Sequence, residues 1–231
     1  MTVPIVLEGG SLFDGTGKKP LENAAVVIEG NRFKTVSQKG RVSYPKEAKV
    51  INTEGKMLLP GLWDTHVHYR EWMAELYLAH GVTTILDLGN PSTWILAHRD
   101  GVAKGKIRGP RIFACGPGIG HPPGRGGYVK DAGEAHKEVK RLLSEGVDAV
   151  KVWAYCTVDM LKVVSEEAHK AGRKVIGHLG VITARDAALN GLDCLAHATG
   201  LPMTAVKDPQ KAQWMLDQEI RRLQTMIIGE P

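Results

Sequence analysis

MLLPGLWDTHVH, residues 57–68, begins the stretch of sequence that decides the fold. It is a short apolar run, and it is followed by the amphipathic segment EWMAELYLAHG (71–81) and by a second apolar run, VTTILDL (82–88). A short apolar run predicts a buried strand, and a segment with apolar residues at helical spacing predicts a helix. Strands that alternate with helices in this way favour a parallel sheet covered by helices on both faces.

The same order continues along the chain, so that about six strand–helix units can be counted from residue 58 onward. The later apolar runs are PRIFACG (110–116), DAVKVWA (148–154), KVIGH (174–178) and DCLAH (193–197). Glycines mark the predicted helix ends, where a left-handed cap is favoured; they are Gly81, Gly146, Gly172 and Gly191. Six units predict an α/β fold, either a (β/α)₈ barrel with two units missing or a doubly wound sheet.

Residues 1–57 differ from the rest of the chain, because they contain short β-type runs separated by turn residues. AAVVIEG (24–30) and KVINTEG (49–55) are examples. This pattern predicts part of a small β-sandwich, which is too thin to bury two full sheets alone. We therefore predict two domains, a partial β-sandwich at 1–57 and a barrel at 58–231.

The composition excludes several classes of protein. The chain has 231 residues, a formal net charge of +5 and three widely spaced cysteines. Its basic residues are interspersed with acidic ones, which argues against nucleic-acid binding. It has no signal-peptide pattern at the N-terminus and no apolar run long enough to span a membrane. We expect a soluble, cytoplasmic protein without disulfides, with no nucleic-acid or membrane partner; a homo-oligomer is left open.

A pair of histidines, His66 and His68, lies at the predicted end of the first strand. Residues i and i+2 of a strand point to the same face and lie about 6.6 Å apart, so that two imidazoles can converge on one metal ion. The alternative is a pair of structural histidines in a half-buried strand. The carboxyl end of a barrel strand is where active sites are built, which favours the metal-binding interpretation.

Lys151 lies inside the apolar run that predicts the fourth strand. Burial of a lysine lowers its pKa and favours the neutral amine. A neutral amine can react with carbon dioxide to give a carbamate, an anionic oxygen ligand that can bridge two cations. The alternative is a lysine at a strand end whose amine reaches solvent.

Two further histidines, His178 and His197, each end an apolar run. One such histidine is more often a hydrogen-bonded core residue. Two of them on consecutive strands, after Lys151 and the His66/His68 pair, indicate a shared site. Imidazole together with a carboxylate-like oxygen suits Zn²⁺ and similar divalent ions.

With these residues in place, the chain resembles the amidohydrolase superfamily, in the branch of imidazolonepropionase-like and prolidase-like metal-dependent hydrolases. The resemblance is carried by segments between residues 7 and 200; they are GGSLFDGTG, ENAAVVIEGNRF, LPGLWDTHVH, HGVTTILDLG, GVDAVKVW, VIGHLG and CLAHATG. It implies a TIM-type barrel with an N-terminal part of a urease-like composite β-sandwich.

The resemblance also implies a role for each site residue. His66 and His68 would bind the more buried metal, Lys151 would bridge as a carbamate, and His178 and His197 would hold a second metal, with Lys151, His178 and His197 contributing to catalysis. Zn²⁺ is the expected ion, one or two per chain. A metal-activated hydroxide would then hydrolyse a C–N amide bond in a dipeptide or a cyclic amide.

The family's metal-binding aspartate at the end of the eighth strand has no counterpart in this sequence. We therefore expect a C-terminally truncated or partial amidohydrolase, whose activity as a single chain is open. The alternative function is a non-catalytic fragment that binds metal or a partner chain.

Three residues are weaker candidates for substrate contact. Arg70 lies two residues after His68, an offset at which dihydroorotase-like relatives bind a substrate carboxylate, and this supports cyclic amides as the alternative substrate class. His121 lies in a Gly- and Pro-rich loop, residues 116–127, that we expect to form a wall of the active site. Tyr155 follows the fourth strand. Arg221 and Arg222, in contrast, are interpreted as part of a solvated helix face.

Overall fold

The structure is a computed structural model that describes residues 3–228. The chain divides into two compact units, Met1–Gly61 and Leu62–Pro231. The division falls close to the boundary predicted after residue 57.

The first unit consists of β-strands. They are β1 (Ile5–Glu8), β2 (Ser11–Leu12), β3 (Ala24–Glu29), β4 (Arg32–Gln38), β5 (Lys49–Asn52) and β6 (Met57–Leu58). Four of them form a sheet in the order β4-β3-β1-β5, in which only the β1–β5 pair is parallel, and β2 pairs with β6. The residues Ala24–Val27 are buried, whereas Phe33 on β4 is 75% exposed. A partial β-sandwich therefore stays a prediction for this unit.

The second unit alternates strands with helices, as the sequence predicts. Its strands are β7 (Leu62–Val67), β8 (Val82–Asp87), β9 (Arg111–Ala114), β10 (Val150–Val152), β11 (Val175–Gly177) and β12 (Cys194–Leu195). Its helices are a 3₁₀ turn (Glu71–Met73), α1 (Ala74–Ala79), α2 (Ser92–Ala103), α3 (Ala132–Glu145), α4 (Val158–Lys170), α5 (Ala184–Leu189), α6 (Leu201–Ala205) and α7 (Pro209–Ile228). None of the helices within residues 3–228 has the length and apolar character that a membrane crossing requires.

All strand pairs in the second unit are parallel. The strands form two sheets, β7-β8-β9 and β10-β11-β12. Two backbone hydrogen bonds link these sheets. Asp148 N–H, just before β10, donates to Ala114 O at the end of β9 (2.8 Å), and Ile119 N–H, in the segment after β9, donates to Lys151 O on β10 (2.8 Å). The carboxyl ends of the six strands therefore lie on one side of the unit. A mixed α/β fold is confirmed, whereas closure into a barrel stays a prediction.

Helix capping explains where several helices begin and end. The carboxylate of Asp131 accepts from Glu134 N–H at the start of α3, and the hydroxyls of Thr157 and Thr183 do the same for α4 and α5. All four predicted cap glycines have positive φ, and Gly146 ends α3 at φ 89°. These caps fix where the helices begin and end, and so they help to position the loops between the strands and the helices.

Candidate metal and active site

The predicted metal ligands come from four strands and lie around one cavity. His66 is on β7, Lys151 is in the middle of β10, and His68, His178 and His197 follow β7, β11 and β12. All five line a cavity of about 360 Å³. Their convergence follows from the parallel order of the strands, since it brings all carboxyl ends to the same edge. Their individual roles stay predictions.

Lys151 is the most unusual residue of this cavity. Its side chain is 3% exposed, and within the described residues its Nζ has no hydrogen-bond partner. Burial lowers the pKa of the amine to about 8, so that roughly a tenth of it is neutral at pH 7. A buried amine without a partner costs stability, and such a group is more often part of a functional site than of a core.

Three of the imidazoles around Lys151 have a lowered pKa, which favours their neutral form. Burial, reinforced by the neighbouring His197, lowers the pKa of His178 to about 3. Burial also lowers the pKa of His68 and of His197, and the Lys151 charge adds to the effect at both. A neutral imidazole offers a lone pair, which is the form that binds a metal ion.

Two of the histidines have a partner on one ring nitrogen. His66 Nδ1 lies 3.1 Å from the carbonyl oxygen of Ala196, so that Nδ1 donates to this oxygen. His197 Nδ1 lies 3.3 Å from the Thr199 hydroxyl. Metal-binding histidines commonly use their second nitrogen in this way, because it fixes the ring orientation.

Within residues 3–228, no group of three or more His, Cys, Asp or Glu side chains is arranged to hold a metal ion. The predicted set includes a lysine, whose amine becomes an oxygen ligand only after reaction with carbon dioxide. The residues nevertheless fit a divalent ion chemically: in the described part of the chain Lys151 Nζ and His178 Nδ1 are buried without a partner, and the lowered pKa of His178 favours its neutral ring. The identity of the ion and the carbamate stay predictions.

Asp87, at the end of β8, holds the loop that follows His68. It is completely buried, and its carboxylate accepts from Tyr69 N–H (2.8 Å), Gly89 N–H (3.2 Å) and Asn90 N–H (3.0 Å). Asn90 Nδ2 adds a fourth bond at 2.6 Å. These bonds use the carboxylate for local structure, and Asp87 does not line the cavity.

The three candidates for substrate contact lie in different surroundings. Arg70 donates to Asn90 Oδ1 (3.2 Å) and does not line the cavity. His121 does line it, and its Nδ1 is buried without a partner in the described part of the chain. The hydroxyl of Tyr155 donates to the Leu223 carbonyl on α7, and its side chain lines a neighbouring cavity of about 220 Å³.

The residues that line these cavities include Trp153, Arg125 and Arg222, which were not among the candidates from the sequence. Trp153 packs between His121 and His178, with ring centroids 4.9 and 4.1 Å away. Arg125 lines both cavities, and Arg222, which we interpreted as part of a solvated helix face, lines the smaller one. The position of Trp153 two residues after Lys151 could have indicated its role, and Arg125 lies in the loop 116–127 that we expected to form a wall of the active site. Nothing in the sequence pattern indicates Arg222.

Comparison with known proteins gives matches along most of the chain, although no family model matches it. An enamidase from Eubacterium barkeri is 26% identical over the whole chain and 65% of its own length. An adenine deaminase from Bacillus licheniformis is 25% identical over 78% of this chain and 32% of its own length. Among solved structures, a prolidase candidate from Bifidobacterium longum has a TM-score of 0.73 and 29% identity, covering 84% of this chain and 54% of that one. The chain thus spans between 32% and 65% of the length of these relatives.

Proposed function

Since these comparisons confirm that the chain resembles the amidohydrolase superfamily, we propose that it carries the metal-binding part of a hydrolase for C–N amide bonds. The observation that carries this proposal is the environment of Lys151. Its buried amine, which has no partner in the described chain, shares one cavity with His66, His68, His178 and His197.

In this proposal His66 and His68 hold one divalent ion, Zn²⁺ by the chemistry of the donors, and His178 and His197 hold a second. Lys151, which lines the same cavity, would supply a further oxygen ligand to these ions as a carbamate. When bound, such ions lower the pKa of a water molecule and polarise a carbonyl group.

The chain's own residues prepare the cavity for this chemistry. The low pKa of His178 keeps one of its two ring nitrogens free of a proton at neutral pH, and the lowered pKa of Lys151 favours the neutral amine that carbon dioxide requires. The contact of His66 with Ala196 orients its ring. Trp153 packs against the ring of His178, with centroids 4.1 Å apart.

We favour dipeptides over cyclic amides as substrates. The cyclic-amide alternative rests on Arg70, and this side chain donates to Asn90 and does not line the cavity. The dipeptide alternative agrees with the similarity to the prolidase candidate.

The metal hypothesis is tested by elemental analysis of protein purified without chelator. We expect about one to two equivalents of divalent metal per chain, and loss of most of it in Lys151→Ala, because the bridging oxygen ligand is removed. Lys162→Ala is the matched control, since Lys162 is an exposed lysine on α4. Unchanged metal content in a folded Lys151→Ala variant would contradict the bridging role.

Activity is tested separately with the metal-loaded chain. The substrates are dipeptides ending in Pro, Arg or Lys, compared with hydantoins and lactams. Hydrolysis of dipeptides is the expected result, and hydrolysis of the cyclic amides alone would favour the other substrate class. Metal binding without hydrolysis of any of them would leave the non-catalytic alternative.

A further inference from the structure

The predicted histidine ligands differ in how their rings are held. His66 and His197 each have a hydrogen-bond partner on Nδ1. The ring of His68 instead lies against the backbone of Gly89, and both residues line the larger cavity. A Cβ atom at position 89 would lie 2.9 Å from His68 Nδ1 and 3.0 Å from His68 Cε1, which is closer than packed side-chain atoms approach. The His68 ring therefore occupies space that only a glycine at position 89 leaves open.

Two hydrogen bonds hold the backbone on either side of His68. Leu88 N–H donates to the carbonyl oxygen of Val67 (3.0 Å), and Tyr69 N–H donates to the Asp87 carboxylate (2.8 Å). The residues before and after His68 are thus both bonded to the segment that ends β8. This pairing leaves the His68 backbone little freedom to move away from that segment.

The same carboxylate holds Gly89 from the other side. Asp87 accepts from Gly89 N–H (3.2 Å) and from Asn90 N–H (3.0 Å), and Asn90 Nδ2 donates to Tyr69 O (2.9 Å). Asp87 is fully buried. One buried carboxylate thus fixes both the turn that contains Gly89 and the residue that follows His68.

The backbone conformation of Gly89 does not itself require a glycine. Unlike Gly81 and Gly146, Gly89 does not have a positive φ, so that its φ angle is one that alanine also adopts. The obstacle to a side chain at position 89 is the His68 ring. This ring ends a side chain with two rotatable bonds, and His68 is otherwise exposed, so that the ring can turn away while the backbone stays in place.

We propose that Gly89 is a positioning residue, whose missing side chain sets the orientation in which the His68 ring lines the cavity shared with His66 and Lys151. The inference rests on the proposed function, in which His66 and His68 hold one divalent ion. Residues that orient a ligand ring contribute to metal affinity, because a ring already in place does not have to be ordered on binding.

The test uses Co²⁺, whose visible absorption reports the geometry of its ligands. The dissociation constant and the absorption band are measured by titrating Co²⁺ into the metal-free chain. We expect Gly89→Ala to bind Co²⁺ about tenfold more weakly and with a changed band, since loss of an orienting contact costs at least about that factor. The midpoint of urea denaturation should stay close to that of the unaltered chain, because the ring and not the backbone gives way.

Two controls connect the effect with the His68 ring. Gly133→Ala makes the same change at an exposed position of α3 that also lacks a positive φ, and it should bind Co²⁺ as the unaltered chain does. His68→Ala removes the ring itself. Adding Gly89→Ala to this variant should weaken Co²⁺ binding no further, because the group that the new methyl displaces is absent.

The ring is followed directly by NMR in the metal-free chain. The Cε1–H signal of His68 is assigned by its loss in His68→Ala. We expect this signal to move in Gly89→Ala and to stay in place in Gly133→Ala, while the signal of His98, on α2, is unchanged in both. A change in overall stability alone would not move the His68 signal selectively.

Three results would overturn the inference: an unmoved His68 signal in folded Gly89→Ala, full Co²⁺ affinity in this variant, or equal weakening by Gly89→Ala with and without the His68 side chain. The last would show that Gly89 acts independently of the ring. Absence of Co²⁺ binding by the unaltered chain would instead contradict the proposed metal site, and the inference with it, so that the two failures are distinguishable.

Discussion

Towards the amino ends of the parallel strands, half-buried carboxylates are paired, whereas towards the carboxyl ends several buried nitrogen atoms have no partner in the described chain. Before β10, the Asp148 carboxylate accepts from Arg99 Nη1 (3.1 Å) and from Ala114 N–H (3.0 Å). Before β12, Asp193 accepts from Lys174 Nζ (2.7 Å) and Val175 N–H (2.8 Å). At the other end, Lys151 Nζ and the Nδ1 atoms of two histidines are buried without partners in the described chain. The comparison separates residues that stabilise the unit from residues available for chemistry.

Asp87 is an exception to this difference between the two ends, because it lies at the carboxyl end of β8 and yet accepts four hydrogen bonds. We predict that Asp87→Ala lowers the free energy of unfolding by about 4 kcal/mol, since it leaves buried N–H donors without an acceptor. Urea denaturation measures the effect. Asp100→Ala, whose side chain is 51% exposed, is the control and should change stability by less than about 0.5 kcal/mol. A loss below about 1 kcal/mol in Asp87→Ala would contradict the structural role.

Lys151 is the opposite case to Asp87, because its buried amine has no hydrogen-bond partner in the described chain. In metal-free protein we predict that Lys151→Met raises the free energy of unfolding by about 1–2 kcal/mol, because it replaces a buried, unpaired amine with an apolar side chain of similar length. Urea denaturation at pH 7 again gives the value. Lys162→Met makes the same change at an exposed position and should be nearly neutral. If Lys151→Met is instead destabilised by more than about 1 kcal/mol, the amine contributes to folding rather than to chemistry.

The sequence was sufficient to predict the alternation of strands and helices and the residues at the strand ends. Apolar runs identified each strand, and the histidines that end them could be assigned to one edge because parallel strands share their direction. Exact bounds were harder: β10 and β11 have three residues each, although the apolar runs that predicted them are longer.

The surroundings of the site could not be predicted in the same way. Arg125 lies in a loop without periodicity, and the position of Arg222 depends on the contact of Leu223 with Gly180, which joins residues far apart in the chain. On a helical pattern alone, Arg221 and Arg222 are equivalent surface residues. Arg70 donates to Asn90, and the substrate contact that its sequence offset suggested stays a prediction.

Asp193 gives the smallest effect, and it tests the amino-end side of the comparison through pH. Burial raises the pKa of this carboxyl, but the hydrogen bonds from Lys174, Val175 N–H and His169 outweigh it and lower the pKa from 3.8 to about 2. A carboxyl whose pKa is depressed in the folded state stabilises the protein when the pH is above the pKa of the unfolded state. This contribution is lost as the pH falls from about 4 to 2. Because Lys174 is 76% exposed, solvent screening limits this contribution to about 1 kcal/mol.

Asp193→Asn should therefore be less stable than the unaltered chain by about that amount at pH 6, and the difference should shrink towards zero near pH 2 in urea denaturation. Asp217→Asn, on α7, should differ by less than about 0.5 kcal/mol at both pH values. A deficit in Asp193→Asn that is equally large at pH 2 would mean that the side chain acts through its shape and packing and not through its charge.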